Sequence, residues 1–153
     1  MTKIMFVCHG NICRSPMAEF IFRDLAKKQN RHQDFIVSSS ATSTEEIWGD
    51  IGNPVYPPAK EELKKHGISC DGKRAVQLKK SDNEKNDLYI AMDSMNNRKI
   101  GRIFGGDPEG KVHKLMDYTD RKGDVADPWY SDRFDIAYRD IHDGCAGLLE
   151  KLK

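Results

Sequence analysis

The sequence predicts a doubly wound α/β domain, in which helices cover both faces of a parallel sheet. Apolar runs of strand length alternate along the chain with stretches of helical periodicity, and no segment is repeated. Such alternation is typical of right-handed crossover connections, which place helices on both faces of the sheet. The chain has 153 residues, enough to bury one core, so we expect a single domain over residues 1–153.

The first strand and the first helix are predicted on either side of a short turn. Residues 3–7 are apolar, with β-branched and aromatic side chains, as in a buried strand of a parallel sheet. For the helix that follows, we expect Ser15 as the N-cap and Pro16 as the first helical residue. Its core-facing residues recur every fourth position and are Met17, Ile21 and Leu25.

The remaining elements follow in the same alternating order. Further strands are predicted at residues 35–37, 87–92 and 112–116. Further helices are predicted at residues 58–66, 96–104 and 131–151, with a short one near 76–80. Gly144 and Gly147 lie inside the last helix, where each costs roughly 1 kcal/mol relative to alanine. We therefore expect this helix to pack closely against a neighbour.

Composition restricts the function classes. The formal net charge is +1, from 25 basic and 24 acidic residues, so no strong field attracts nucleic acid or an anionic membrane. No window has the apolar length of a membrane span, and residues 1–3 lead into a strand without signal-peptide character. The four cysteines lack zinc-site spacing. We expect reduced thiols, no metal site and a cytoplasmic location.

Residues 8–15, which we call the anion loop, join the first strand to the first helix. Gly10 and Asn11 tolerate positive φ, so the N–H groups of the turn are expected to point inward and bind an anion. Cys8 and Arg14 then face the same tetrahedral oxyanion, and the loop favours the nucleophilic thiolate. The guanidinium matches two phosphoryl oxygens. The other loop residues assigned to anion binding are His9, Gly10, Asn11, Ile12, Cys13 and Ser15.

The string from Val7 to Pro16, with Cys8 and Arg14 separated by five residues, resembles the low molecular weight protein tyrosine phosphatases. The resemblance covers essentially the whole chain. It implies a four-stranded parallel sheet in the order 2-1-3-4 and no metal or organic cofactor. Its implied partners are phosphotyrosine-containing proteins or peptides, with inorganic phosphate as product. No nucleic acid or membrane partner is expected, and we expect a monomer.

A second motif, Asp127-Pro128-Trp129-Tyr130, matches the family's Asp-Pro followed by aromatics. Departure of a tyrosyl oxygen from phosphorus is slow without a proton, so Asp127 is expected to act as general acid. It would then activate water to hydrolyse the cysteinyl phosphate. Trp129 and Tyr130 are suited to holding an aromatic ring, which favours phosphotyrosine over phosphoserine. Trp129 departs from the tyrosine of several members, which leaves substrate preference open.

The resemblance also implies supporting roles. Ser39 is expected to hydrogen-bond Asn11, His66 to make a structural hydrogen bond near the anion loop, and Trp48 to form a wall of the cleft. Asp93, at the carboxyl end of a predicted strand, faces the crevice and supports the loop and its arginine. The resemblance further implies a reversible Cys8–Cys13 disulfide. Simple packing of Cys13 is an equal alternative.

Two other functions are less consistent with the sequence. A thiol-dependent arsenate reductase uses the same kind of loop but needs resolving cysteines near the third strand, and residues 71–97 contain none. A phosphoprotein-binding module that has lost catalysis usually lacks the nucleophile, the arginine or the acid, and all three are present. Phosphoarginine and small aryl phosphates stay open as substrates.

Overall fold

A four-stranded parallel sheet forms the centre of the protein in a computed structural model that describes residues 1–153. Its strands are β1 (Thr2–Cys8), β2 (Phe35–Ala41), β5 (Leu88–Ala91) and β6 (Val112–Lys114). They lie in the order β2-β1-β5-β6, and all neighbours are parallel. Counted within this sheet alone, the order is 2-1-3-4, which confirms the predicted topology. A separate hairpin consists of β3 (Ile47–Trp48) and β4 (Ile51–Gly52).

Helices cover both faces of the sheet, as the predicted class requires. They are α1 (Arg14–Lys28), α2 (Pro57–Lys65), α3 (Ser94–Phe104), α4 (Pro128–Ser131) and α5 (Phe134–Lys151). Alternate residues of β1 face opposite sides: Ile4 and Phe6 lie in the larger core with α1 and α5, whereas Val7 lies in a smaller core with α3. None of the helices combines the length and apolar character needed to cross a membrane.

The second strand is longer than the sequence predicts. The serines at 38–40, which lie beyond the predicted strand at 35–37, pair with β1 residue by residue, from Met5 opposite Ser38 to Cys8 opposite Ala41. The predicted helix at 76–80 is wrong, since Ala41 N–H donates to the Val76 carbonyl at 2.7 Å and Leu78 N–H donates back to Ala41 at 2.8 Å. This extended pairing excludes a helix there, and a 3₁₀ turn, Lys80–Glu84, follows instead.

Close packing of the last helix is confirmed. Gly144 of α5 faces Leu115 and Gly147 faces Tyr118, the two ends of the 3₁₀ turn Leu115–Tyr118 that follows β6. A Cβ atom at Gly144 would lie 2.5 Å from Leu115 Cγ. The helix therefore reaches this turn only because the two positions lack side chains.

Candidate active site

Cys8 ends β1 at the carboxyl edge of the sheet, and the anion loop surrounds its sulfur with hydrogen-bond donors. The backbone N–H groups of Asn11 and Ser15 point at Sγ from 3.3 and 3.4 Å. Ser15 Oγ lies 3.0 Å from the same sulfur. The Asn11 side-chain amide donates to Ser15 Oγ at 2.7 Å, so the Ser15 hydroxyl proton is shared between the sulfur and the Ser40 carbonyl, which lies 3.4 Å away. This arrangement stabilises negative charge on Cys8.

Asn11 holds the anion loop in shape. Its φ of 58° lies in the left-handed region, and its Oδ1 accepts a hydrogen bond of 3.0 Å from the Val76 N–H. Gly10 does not have positive φ, contrary to expectation. A Cβ there would meet Glu46 Cγ at 3.3 Å, so the glycine allows close approach of this side chain.

The start of α1 differs from the prediction. The helix begins at Arg14, its N-cap is Cys13, and no side chain caps it. Ser15 is therefore not the N-cap, and Pro16 is the third helical residue. The Ser15 hydroxyl contacts the thiol and the Asn11 amide instead of a helix N–H. Ser15, whose sequence context resembles a helix N-cap, is thus part of the anion loop instead.

Arg14 is held under the cleft by two segments distant in sequence. Its side chain is 3 % exposed, and Nη1 donates to Asp93 Oδ2 at 2.8 Å and to the Val125 carbonyl at 2.9 Å. Burial disfavours the charge, but the neighbouring Cys8, Asp93 and Asp127 raise the pKa of Arg14 above its ordinary value. Asp93 thus supports the arginine as expected, and it also caps α3 by accepting from the Asn96 N–H at 2.7 Å.

Asp127 faces Arg14 from the segment 119–127, which we call the acid loop. Asp127 Oδ2 lies 3.5 Å from Arg14 Nη2, and Oδ1 accepts from the Trp129 N–H at 3.0 Å, which caps α4. Trp129 packs against Tyr56 with ring centroids 4.8 Å apart, whereas Tyr130 is 85 % exposed. Both aromatic side chains line the same cleft as Cys8.

The cleft also contains two acidic residues that sequence reasoning missed. Glu45 pairs with His9 at 2.9 Å, and Glu46 accepts from the Asn53 amide at 2.7 Å. Their only sequence signal is their position a few residues after the serines of β2. The full lining is Cys8, His9, Gly10, Ile12, Cys13, Arg14, Glu45, Glu46, Asp127, Trp129 and Tyr130.

Trp48 is not a wall of this cleft. It lies on the β3–β4 hairpin, is 74 % exposed and does not line the cavity. His66 makes its hydrogen bond within α2 and not with the anion loop: its Nε2 is 3.3 Å from Glu62 Oε2, and its ring stacks on Tyr138 with centroids 3.7 Å apart. The aromatic character of Trp48 and the helix-end position of His66 gave no information about which way the hairpin and α2 face.

Ser39 contacts a buried ion network instead of Asn11. Its hydroxyl donates to Glu19 Oε1 at 2.5 Å, and Glu19 pairs with Arg23 at 2.7 Å. Lys73 lies 3.7 Å from Glu19 and donates to the Ser39 carbonyl at 3.1 Å. Burial lowers the pKa of Lys73, although Glu19 acts in the opposite direction. The predicted hydrogen bond between Ser39 and Asn11 is therefore wrong, and this network was not anticipated.

All four cysteines are free thiols in the structure. Cys13 lines the cleft together with Cys8. Burial, and then the nearby Cys8 and Asp127, raise the pKa of Cys13. This shift disfavours the thiolate form of Cys13.

Comparison with known proteins supports one family. A sequence model described as low molecular weight phosphotyrosine protein phosphatase matches residues 3–153. YfkJ of Bacillus subtilis, a low molecular weight protein-tyrosine-phosphatase, is 37% identical over 100% of this chain and 97% of its own length. PtpA of Staphylococcus aureus is 34% identical over 98% of this chain and 93% of its own length.

Solved structures of proteins from the same family have the same fold as this chain. The crystal structure of YfkJ superposes with a TM-score of 0.91 over 99% of this chain and 94% of that chain. That of SP-PTP from Streptococcus pyogenes has a TM-score of 0.87 at 32% identity, over 100% of this chain and 94% of that chain. The matches span the anion loop, the acid loop and every strand of the sheet. The chain therefore belongs to the low molecular weight phosphotyrosine protein phosphatase family and is a protein-tyrosine-phosphatase.

Proposed function

We propose that this phosphatase hydrolyses phosphotyrosine through a cysteinyl-phosphate intermediate. Cys8 is the nucleophile, Arg14 binds the phosphoryl group and Asp127 is the general acid and base. One observation carries the proposal: the donor-ringed sulfur, the buried guanidinium and the Asp127 carboxylate all face a single cleft. No step uses a metal or an organic cofactor.

In the first step, the Cys8 thiolate attacks phosphorus, an S–P bond forms and the P–O bond to the phenol breaks. The carboxyl proton of Asp127 passes to the departing oxygen. Arg14 Nη1 is committed to Asp93 and Val125, which leaves Nε and Nη2 for two phosphoryl oxygens. The N–H groups of the anion loop bind the charge that develops on these oxygens.

In the second step, Asp127 accepts a proton from water, whose oxygen attacks phosphorus and breaks the S–P bond. Inorganic phosphate leaves, and the thiolate is restored. The Ser15 hydroxyl, 3.0 Å from the sulfur, donates to it as negative charge returns. The same hydrogen bond that stabilises the nucleophile thus also assists its departure as a leaving group.

Substrate selection is proposed to depend on the aromatic side chains beside the acid. Trp129 packs on Tyr56, whereas Tyr130 is largely exposed, so a packed and an exposed aromatic side chain line the cleft beside Asp127. A phosphotyrosine ring can lie against them while its phosphoryl group reaches the anion loop. A phosphoserine side chain is too short to make both contacts.

The proposal includes a cytoplasmic enzyme of one domain. Four free thiols suit a reducing compartment. Packing of α1 against α5 joins the two ends of the chain in one core. The monomeric state stays a prediction.

Phosphate release without added metal and with a reductant tests the function. Phosphotyrosine, phosphoserine and phosphoarginine peptides are compared on the wild type, Cys8→Ser and Asp127→Ala. We expect turnover of phosphotyrosine that disappears in Cys8→Ser and falls by roughly 10²–10⁴-fold in Asp127→Ala. Cys70→Ser, which changes a buried thiol outside the cleft, is the matched control and keeps its activity.

Two results would contradict the proposal. Tight phosphopeptide binding by a wild type that never releases phosphate would make the protein a binding module. Faster turnover of the phosphoarginine peptide would keep the nucleophile but replace the proposed substrate.

A further inference from the structure

Asp124, in the acid loop, joins three elements through one carboxylate oxygen. Its Oδ1 accepts hydrogen bonds from the Ser94 N–H, the Ser94 hydroxyl and Lys114 Nζ, each at 3.1 Å. Ser94 begins α3, and Lys114 ends the edge strand β6. Lys114 Nζ also donates to Ser94 Oγ at 3.2 Å, which closes the set. We call Ser94, Lys114 and Asp124 the clip.

The residue after the clip is fixed as well. Val125 is buried, its N–H donates to the Met92 carbonyl at 2.9 Å, and its carbonyl accepts from Arg14 at 2.9 Å. Asp127 follows two residues later, with its carboxylate facing Arg14. The clip therefore holds the acid loop immediately before the segment that carries the proposed proton donor.

Exposure argues against a mainly stabilising role for the clip. The Asp124 side chain is 47 % exposed and that of Lys114 is 20 % exposed. Ion pairs as exposed as this contribute about 0–1 kcal/mol to stability. The pKa of Asp124 is nevertheless lowered against the effect of partial burial, because Lys114 and Ser94 bind its charged form. The three donors that converge on Asp124 Oδ1 therefore fix the position of the acid loop relative to α3 and β6 more than they stabilise the fold.

We propose that Asp124, held by Lys114 and Ser94, is a positioning residue that places Asp127 for proton transfer to the leaving group. This inference rests on the proposed function, since it concerns the step in which Asp127 acts. In that step the S–P bond forms, the P–O bond breaks and the Asp127 proton passes to the aryl oxygen. Because Val125 stays bound to Met92 and Arg14, a shift of Asp127 impairs only this last transfer.

The leaving group separates positioning from a general structural effect. A phenol with a pKa of about 10, like that of tyrosine, must leave protonated, so its departure needs Asp127 in place. A dinitrophenolate is a stable anion and leaves without a proton. Loosening the acid loop should therefore slow phenyl phosphate and spare dinitrophenyl phosphate, and kcat/KM reports this first transfer.

The experiment measures kcat/KM for both esters on the wild type, Asp124→Asn and Lys114→Met. The expected loss on phenyl phosphate is about tenfold, a fraction of the 10²–10⁴-fold that a positioned general acid supplies, against less than about twofold on dinitrophenyl phosphate. Asp24→Asn, which removes the 2.9 Å ion pair with Lys28 on α1, is the matched control. In an Asp127→Ala background, adding Asp124→Asn should change neither ester further.

Equal losses on the two esters, or none, overturn the inference. If Asp124→Asn does not fold, Lys114→Met and Ser94→Ala give the same comparison, and Lys114→Arg should restore the wild-type ratio. The outcome for Asp127→Ala distinguishes the two proposals. If Asp127→Ala slows both esters equally, the proposed role of Asp127 as general acid is wrong. If Asp127→Ala slows phenyl phosphate selectively but the clip variants do not, only the positioning role of the clip is wrong.

Discussion

Alanine substitutions at the helical glycines should change stability in opposite directions, because only two of the three lie against another element. A Cβ at Gly101 of α3 would meet nothing within 4 Å. Alanine is better than glycine in a helix by roughly 1 kcal/mol. Gly101→Ala should therefore raise the free energy of unfolding by about this amount. It is the matched control for the α5 positions.

At Gly147 the same gain is outweighed by overlap. The ideal Cβ position lies 2.0 Å from the Tyr118 carbonyl oxygen, and real Cβ contacts stay above 3.0 Å, so α5 and the turn must separate by 1.0 Å. Both sides are backbone, and no rotamer change relieves the overlap. Overpacking typically costs about 1–3 kcal/mol, and a backbone shift belongs at the upper end. After the helix gain, Gly147→Ala should lose about 2 kcal/mol.

Gly144→Ala should fall between the two, because the atoms that its Cβ meets belong to the Leu115 side chain and not to the backbone. Equilibrium unfolding in urea, with both midpoint and slope measured, gives the three values. Tyr118 directly precedes the acid loop, so Gly147→Ala should also lower kcat/KM on phenyl phosphate. A Gly147→Ala protein as stable as the wild type, or a Gly101→Ala protein that is less stable, would refute the reasoning.

Three further predictions concern single side chains. Arg14→Lys keeps the charge but not the simultaneous contacts to Asp93 and Val125; kcat/KM on an aryl phosphate should fall by at least about 10²-fold with the circular dichroism spectrum unchanged. Ser39→Ala should cost about 1–2 kcal/mol in urea unfolding and leave kcat/KM within about threefold, since the hydroxyl binds Glu19; a large loss of activity at unchanged stability would contradict this. Burial raises the pKa of Cys145, so above pH 9.0 the unfolded state loses a proton that the folded state keeps, and stability falls with rising pH. That slope, measured by unfolding from pH 8 to 10, should be shallower in Cys145→Ala.

The parts of the fold set by local pattern were predictable. The apolar run of β1, the periodicity of α1 and α5, and the glycines of α5 each reflect contacts that a short segment makes on its own face. The serines of β2 were not, because their strand is defined by backbone pairing with β1, to which side-chain polarity contributes little.

The candidate site shows the same division. Cys8, Arg14 and Asp127 follow from chemistry that few residue types can perform. The sequence assigns Ser15 both to the helix cap and to the anion loop. Its hydroxyl contacts the Cys8 thiol across the turn, so only the capping motif misplaced the start of α1. The contacts of Trp48 and His66 could not be predicted for another reason: they depend on how the hairpin and α2 pack, which no local pattern encodes.

The guanidinium contacts of Arg14 have a consequence for how the protein becomes active. One partner, Asp93, lies 79 residues further along the chain, and the other, Val125, lies 111 residues further. Contacts of such long range form late, after much loop-closure entropy has been lost. During synthesis Cys8 and Arg14 thus leave the ribosome well before Asp93 and Val125, and the contacts that hold the guanidinium form only after those later residues have been made and folded. Recovery of turnover during refolding should therefore report completion of the sheet and its helices, later than any signal from α1 alone.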